Sequence, residues 1–300
     1  MTLGAGAHPH RVSRPSLVQR VATTAGPPIR WLTRRAPTLV SKVFLHLHRS
    51  LVGDVEVPVS LGAFSMAVNP QDNCGGNLYY RGCYEPEQTQ RFTELLRAVR
   101  PATFIDVGAN IGYYTLLAAS QGVPRVVAVE ASPEIAAMLE RNVALNRLSS
   151  RVHVVAAALA DHDGTLTFWP NREDHNLGTG AVLRRPDLAG DECFEVRCHS
   201  GDSLFGDIAA GPVLMKLDVE GGELLVVEGM RGFLTRLRPT LAIEVHPVQL
   251  RLMGRTAEQL TAVLSDLGFA LARLCDGREV SVSASASFGS DISWLIARPC

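Results

Sequence analysis

Residues Thr103-Phe-Ile-Asp-Val-Gly-Ala-Asn-Ile-Gly-Tyr-Tyr-Thr-Leu-Leu-Ala-Ala119 combine an apolar run, one acid, a turn with two glycines and apolar residues at helical spacing. Phe104, Ile105 and Val107 do not alternate with polar residues, which is the pattern of a strand covered on both faces of a parallel α/β sheet. Asp106 interrupts that run at its carboxyl end, where open α/β sheets bind ligands, and a carboxylate there is costly unless something pairs with it. Gly108 and Gly112 let the backbone bend tightly and approach a ligand. Tyr113, Leu116 and Leu117 recur at i, i+3 and i+4, so a helix begins there and turns its free N–H groups back toward the loop.

The spacing narrows the ligand. A dinucleotide fingerprint needs G-x-G-x-x-G, whereas this loop reads D-x-G-x-N-x-G, with Asn110 standing where the second glycine would be. An acid just ahead of the glycine repels a pyrophosphate and suits a ligand with a cationic amine. S-adenosylmethionine is such a ligand. Residues 126–129 read as the next parallel strand and end in Glu130, placed to accept hydrogen bonds from ribose hydroxyls.

A second strand-acid-glycine-helix unit occurs at Val213-Leu-Met-Lys-Leu-Asp-Val-Glu-Gly-Gly-Glu223, and residues 240–245 form a further strand that carries Glu244 and leads to His246. In the doubly wound order these strands lie beside the first, so Asp218, Glu220, Glu244 and His246 converge at one carboxyl edge, where acid/base groups collect. His246, oriented by Glu244 or Asp218, is the first candidate for a general base and Asp218 the second. No resident metal is expected. The competing local reading is a hard cation such as Mg²⁺ on Asp218, Glu220 and Glu244. Glu223 reads as a helix-start residue favoured by the dipole.

Taken with Gly82-Cys-Tyr-Glu-Pro86, Val129-Glu-Ala-Ser-Pro133 and Ile243-Glu-Val-His246, these stretches resemble the class I S-adenosylmethionine-dependent methyltransferases, and within them the FkbM type. The resemblance covers roughly residues 70–300. It implies a Rossmann-like α/β fold: a mostly parallel seven-stranded sheet with an antiparallel final strand and helices on both faces. It also implies S-adenosylmethionine as cofactor and O-methylation of a hydroxyl on a small molecule, a natural product or a sugar. A lid ahead of the first strand makes Tyr84 and Glu85 candidates, Glu85 for the ammonium. Ala157, Ala158 and Asp161 stand where the family makes its adenine contacts. A nicotinamide oxidoreductase and a cofactor-binding protein without turnover are the rival classes.

Charge is distributed unevenly. Residues 1–50 carry eight Lys or Arg and no acid, leaving 21 basic against 30 acidic residues in the rest. A body of that sign offers no broad basic face for phosphate contacts, which argues against a nucleic-acid substrate. No run approaches the ~18 apolar residues of a membrane span, and no leader pattern precedes a small-residue cleavage site, so a cytoplasmic location is expected. The basic extension is expected to be partly disordered and to make at most weak contact with an anionic surface, with residues 39–47 as one amphipathic helix. Six cysteines show no zinc spacing and are expected to be reduced, with a Cys74–Cys83 bridge as the exception considered.

The chain is thus divided into an extension (1–50), a strand and lid segment (51–100) and the catalytic domain (101–300). Val55, Val57 and Val59 alternate as a strand or hairpin. Residues 72–86 have turn chemistry, and a helix covers 87–97. Ser132-Pro133 caps a helix to 146, and 152–155 is a strand. Residues 161–202 make an excursion with strands at 165–168 and 195–198 and a polar loop, 171–180, where His175 and Asn176 are acceptor-side candidates alongside Glu220. A helix is expected over 222–230 and another over 257–267. A strand at 269–274 then pairs as a hairpin with the closing strand at 292–297.

Overall fold

The apolar runs spaced along the chain become the strands of one sheet, and the residue-by-residue facing within each run decides its layering. The structure, a computed structural model, describes residues 51–52, 54–170, 180 and 193–300. The extension with its 39–47 helix, and the loop carrying His175 and Asn176, lie outside the described residues.

A hairpin, β1 (Val57–Ser60) and β2 (Ser65–Val68), comes first, followed by α1 (Asn73–Arg81) and α2 (Pro86–Val99). Next are β3 (Thr103–Val107), α3 (Tyr113–Ser120), β4 (Arg125–Glu130), α4 (Pro133–Leu145) and β5 (Val152–Ala156). A small separate sheet follows, ordered β6-β8-β7, from β6 (Ala158–Ala160), β7 (Gly164–Phe168) and β8 (Phe194–Ser200). The chain returns through α5 (Gly201–Leu204), β9 (Val213–Leu217), α6 (Glu223–Glu228), α7 (Arg231–Leu237), β10 (Thr240–Val245), α8 (Pro247–Leu252) and α9 (Ala257–Asp266). It ends with β11 (Phe269–Cys275), β12 (Arg278–Val282) and β13 (Ser293–Pro299).

The main sheet runs β12-β11-β13-β10-β9-β3-β4-β5. From β5 to β10 every neighbour is parallel, and β13 enters antiparallel between β10 and β11. From β3 the chain winds outward to β4 and β5, then returns to β9 and β10 on the other side. That reversal leaves a crevice at the carboxyl ends of β3 and β9. Phe104, Val126, Leu214 and Ala242 face the layer of the hairpin and α1–α4. Ile105, Val107, Val127, Met215 and Ile243 face α6, α7 and α9. Both faces are covered, which explains why these strands do not alternate in polarity. Among the described residues no helix is long and apolar enough to cross a membrane.

Four expectations about elements need correction. Residues 73–81 are helical: Asp72 caps the start by accepting from Gly75 N at 3.0 Å, and Gly82 ends it at φ 73°. The helix expected over 222–230 is two, Glu223–Glu228 and Arg231–Leu237, and Gly229 between them lies so close to the small sheet that a Cβ would be 1.9 Å from the Ala160 carbonyl oxygen. Directly after His246, Pro247 opens α8, a short helix between β10 and α9 where none was expected. The hairpin partner of β11 is β12, an eighth strand, through Asp276 and Gly277 at φ 47° and 71°. β13 pairs with β11 from the opposite side. The cysteines in the described residues, Cys74 and Cys83 included, are free thiols.

Candidate active site

Leaving β3, the backbone passes so close to the loop after β9 that a side chain cannot fit. Gly108 has φ +76°, and a Cβ there would lie 1.7 Å from the Asp218 carbonyl oxygen. Gly108 N and Ala109 N both donate to Val129 O. Asn110 is left-handed at φ 49°, and its N–H donates to Glu130 Oε2 at 2.9 Å. Glu130 Oε1 accepts from Ser132 N at 2.9 Å, so this acid ties the glycine turn to the start of α4. Burial raises its carboxyl to about 7 against the pull of those two amides.

Beside this turn opens a cleft with about 660 Å³ of unfilled space. Of the expected cofactor and acceptor residues, Gly108, Asn110, Glu130, Ala158, Asp218 and Glu220 line it. Ala157, Phe168 and Gly180 complete the wall toward the small sheet. Gly112 stands back from the cleft: it is the N-cap of α3 at φ +95°, where a Cβ would lie 2.3 Å from Leu139 Cδ1. Asp106 is also set back, only 1% exposed. Thr115 Oγ1 donates to its Oδ2 at 2.6 Å, while Oδ1 is buried and makes no hydrogen bond. Burial raises the Asp106 carboxyl, opposed by the Lys216 ammonium.

A second group of charges adjoins the cleft at the ends of β9 and β10. Lys216 Nζ donates to Asp218 Oδ2 at 2.9 Å and lies 4.8 Å from the centroid of the Tyr114 ring. Asp218 Oδ1 is 3.2 Å from His246 Nε2. His246 Nδ1 makes an ion-pair contact with Glu220 Oε2 at 3.4 Å without forming a hydrogen bond. Trp294 Nε1 donates to Glu244 Oε2 at 3.3 Å, and Tyr114 OH to Glu85 Oε2 at 2.8 Å. Glu85 belongs to this group rather than to the cleft wall. Glu223 Oε1 accepts from Gly221 N at 3.0 Å and holds the turn before α6.

Burial acts on Lys216, Asp218, His246 and Glu244, and neighbouring charge outweighs it in the first three. For Lys216 burial favours loss of the proton, but Asp218 and Asp106 outweigh it and hold the ammonium charged. For Asp218 burial is outweighed by Lys216 and His246, which hold the carboxyl well below the usual range. His246 is raised to about 10: burial opposes its charge, but the Asp218 bond and the Glu220 carboxylate prevail. Burial and the adjacent Asp218 charge raise Glu244 to about 8. The arrangement therefore presents an imidazolium clamped between two acids beside a cleft that already contains Asp218 and Glu220.

The sequence reading gave Lys216 no role. The signal was a single cation within an otherwise apolar strand, Val-Leu-Met-Lys-Leu, whose residues are all buried. Phe168 and Gly180 carried no comparable signal, because they reach the cleft only through the fold of the small sheet.

A family model described as the Methyltransferase FkbM domain matches residues 106–271. Methyltransferase sdnD of Sordaria araneosa is 28% identical over 197 residues, covering 56% of this chain and 74% of that protein. Hexuronic acid methyltransferase AglP of Haloferax volcanii is 27% identical over 165 residues, covering 54% of this chain and 60% of that protein. The crystal structure of methyltransferase FkbM from Methylobacillus flagellatus aligns with a TM-score of 0.43 and 18% identity, covering 93% of this chain and 60% of that one.

Proposed function

The chain belongs to the FkbM methyltransferase family, and from that premise we propose that it transfers a methyl group from S-adenosylmethionine to a hydroxyl of a small molecule, a natural product or a sugar. The observation that carries the reading is the cleft at the carboxyl ends of β3, β4 and β9, walled by the glycine turn, Glu130 and Asp218. The residues present fit the donor. Each Glu130 oxygen holds one backbone N–H and keeps capacity for a ribose hydroxyl. Ala157 and Ala158 leave width for a flat base, and Gly108 lets the turn come close. Asp218 and Glu220 are the acids in the wall at the other end, the side assigned to the ammonium.

Bound there, S-adenosylmethionine supplies a methyl group on a sulfonium, whose neutral thioether leaves readily. The protein's share is alignment and exclusion of water, worth roughly 7–11 kcal/mol when geometry is right. Asp218 accepts the hydrogen bond of the acceptor hydroxyl, turns its lone pair toward the methyl carbon and would take the hydroxyl proton as the O–C bond forms and the C–S bond breaks. Glu220, with His175 and Asn176, is assigned to the acceptor side. His246 serves as base only after releasing the proton that Asp218 and Glu220 favour on it, so in the resting protein it orients Asp218. The name of the archaeal relative, a hexuronic acid methyltransferase, supports a sugar-like acceptor.

Calorimetry of the purified chain with S-adenosylhomocysteine tests the donor site. Binding is expected, weakened about tenfold by Glu130→Ala, a loss of ~1.4 kcal/mol. Heat with a nicotinamide dinucleotide and none with S-adenosylhomocysteine would reject the reading. Product mass then tests the acceptor class, through the gain of one CH₂ on sugars or hydroxylated natural products.

A further inference from the structure

We infer that Asp218, Glu244 and His246 bind a divalent cation at the ends of β9 and β10, and that this cation gathers the acceptor hydroxyl. The cation's part in the reaction rests on the methyl-transfer reading; the site itself does not. One donor atom from each of the three residues lies within 4.8 Å of the others. Asp218 Oδ1 and His246 Nε2 are 3.2 Å apart. In octahedral coordination, bonds of ~2.0–2.6 Å put adjacent ligands roughly 2.9–3.7 Å apart, so these two atoms already stand as neighbours in a coordination shell.

The surroundings of each donor agree. The His246 side chain is 3% exposed, and its Nδ1 is buried without a hydrogen bond, 3.4 Å from Glu220 Oε2. Coordination through Nε2 fixes the proton on Nδ1, facing that carboxylate, which is the carboxylate–histidine–metal relation that orients ligating imidazoles. Trp294 occupies one oxygen of Glu244 and leaves the other for the ion. Lys216 occupies Asp218 Oδ2 and leaves Oδ1 turned to the cluster.

Lys216 also has somewhere to go when the ion arrives. Asp106 is its register partner on β3, and Asp106 Oδ1 is buried with no hydrogen bond. Asp218, Glu220 and Glu244 stand together here, with Lys216 and His246 as their cationic neighbours. Two carboxylates and one imidazole suit Mg²⁺ or Mn²⁺, and three protein ligands leave positions open for the acceptor oxygen and water. With that oxygen on the ion, its proton passes to water at the cleft mouth. The oxygen's electron pair then forms the O–CH₃ bond while the C–S bond breaks and its pair stays on sulfur.

The test uses the full chain, stripped with chelator and desalted, and Mn²⁺ followed by its electron paramagnetic resonance signal. Wild type is expected to take up about one Mn²⁺ per chain, and Glu244→Gln to bind it at least tenfold more weakly, since even indirect supports of a metal site cost ~10–100-fold. S-adenosylhomocysteine binding to the same variant shows that it is folded; His246→Gln replaces it where that binding is lost. No uptake by wild type, or equal uptake by the variant, overturns the inference. S-adenosylhomocysteine heat without Mn²⁺ uptake rejects the ion and leaves the donor site standing. Mn²⁺ uptake without that heat supports the ion and rejects the donor site.

Discussion

His246 is 2% exposed and meets acids on several sides: Asp218 through a hydrogen bond, with Glu220 and Glu223 acting by charge. Burial favours the neutral ring, yet these neighbours raise its pKa to about 10, above the ~6.5 of an unfolded histidine. A group whose folded value is raised gives stability that is complete below the unfolded value and is lost as pH climbs toward the folded one. Glu130 and Glu223, raised to about 7, and Glu244, raised to about 8, act in the same direction but mostly at lower pH. Urea unfolding of the chelator-stripped protein from about pH 8 to about 10 should therefore show falling stability in wild type and a flatter profile in His246→Gln. Identical profiles would mean that the ring is neutral in the folded protein. The sequence placed Asp218, Glu220 and His246 together because each ends or follows a strand. It could not give their charge states, which depend on distances across strands. Asp106 shows the same limit: its strand position was legible, but pleating turns it toward Thr115, while Gly108 and Asn110 reach the cleft.

At the level of elements, the legible parts were those whose signals agree. β3, β4 and β9 are buried apolar runs broken only by Asp106 in β3 and Lys216 in β9, and α4 begins with Ser132 accepting from Ile135 N ahead of Pro133. α9 has a full capping box between Thr256 and Gln259. α1 was hidden because Asn73, Gly75 and Gly76 resemble a turn, and only tertiary contact shows why a glycine belongs there. A Cβ on Gly75 would lie 2.2 Å from the Asn69 carbonyl oxygen. Inside an ordinary helix Gly→Ala gains about 1 kcal/mol. Here the backbone clash should reverse the sign, so Gly75→Ala is expected to lower stability by about 1–3 kcal/mol. A rise in the urea midpoint would show that α1 does not pack on Asn69. β12 was missed for a different reason. Asp276-Gly277 is a strong hairpin dipeptide, but the strand after it, Arg-Glu-Val-Ser-Val, is short and largely exposed, so its apolar pattern is weak.

Across the whole molecule, the first hairpin is held by two asparagines one helical turn apart, Asn142 on α4 and Asn146 at its C-cap, and Asn142 joins it to the ligand turn. β1 and β2 form a sheet of their own, a unit that is marginal in isolation. The outer edge of β2 is satisfied by side-chain amides. Asn142 Oδ1 accepts from Ala67 N at 2.7 Å, and its Nδ2 donates to Ala67 O at 3.3 Å and Ile111 O at 2.9 Å. Asn146 treats Ser65 in the same way, at 2.9 Å and 2.7 Å. Only Asn142 also reaches the glycine turn, through Ile111. Truncating it leaves three backbone groups without partners, each costing ~1–3 kcal/mol where water cannot enter. Asn142→Ala is thus expected to lose about 2–4 kcal/mol of stability, to speed hydrogen exchange over residues 65–68, and to weaken S-adenosylhomocysteine binding. Asn146→Ala frees the same hairpin edge but spares Ile111, so it should speed exchange and leave that binding unchanged. Equal effects of the two variants on binding would show that the hairpin and the ligand turn are not linked through residue 142.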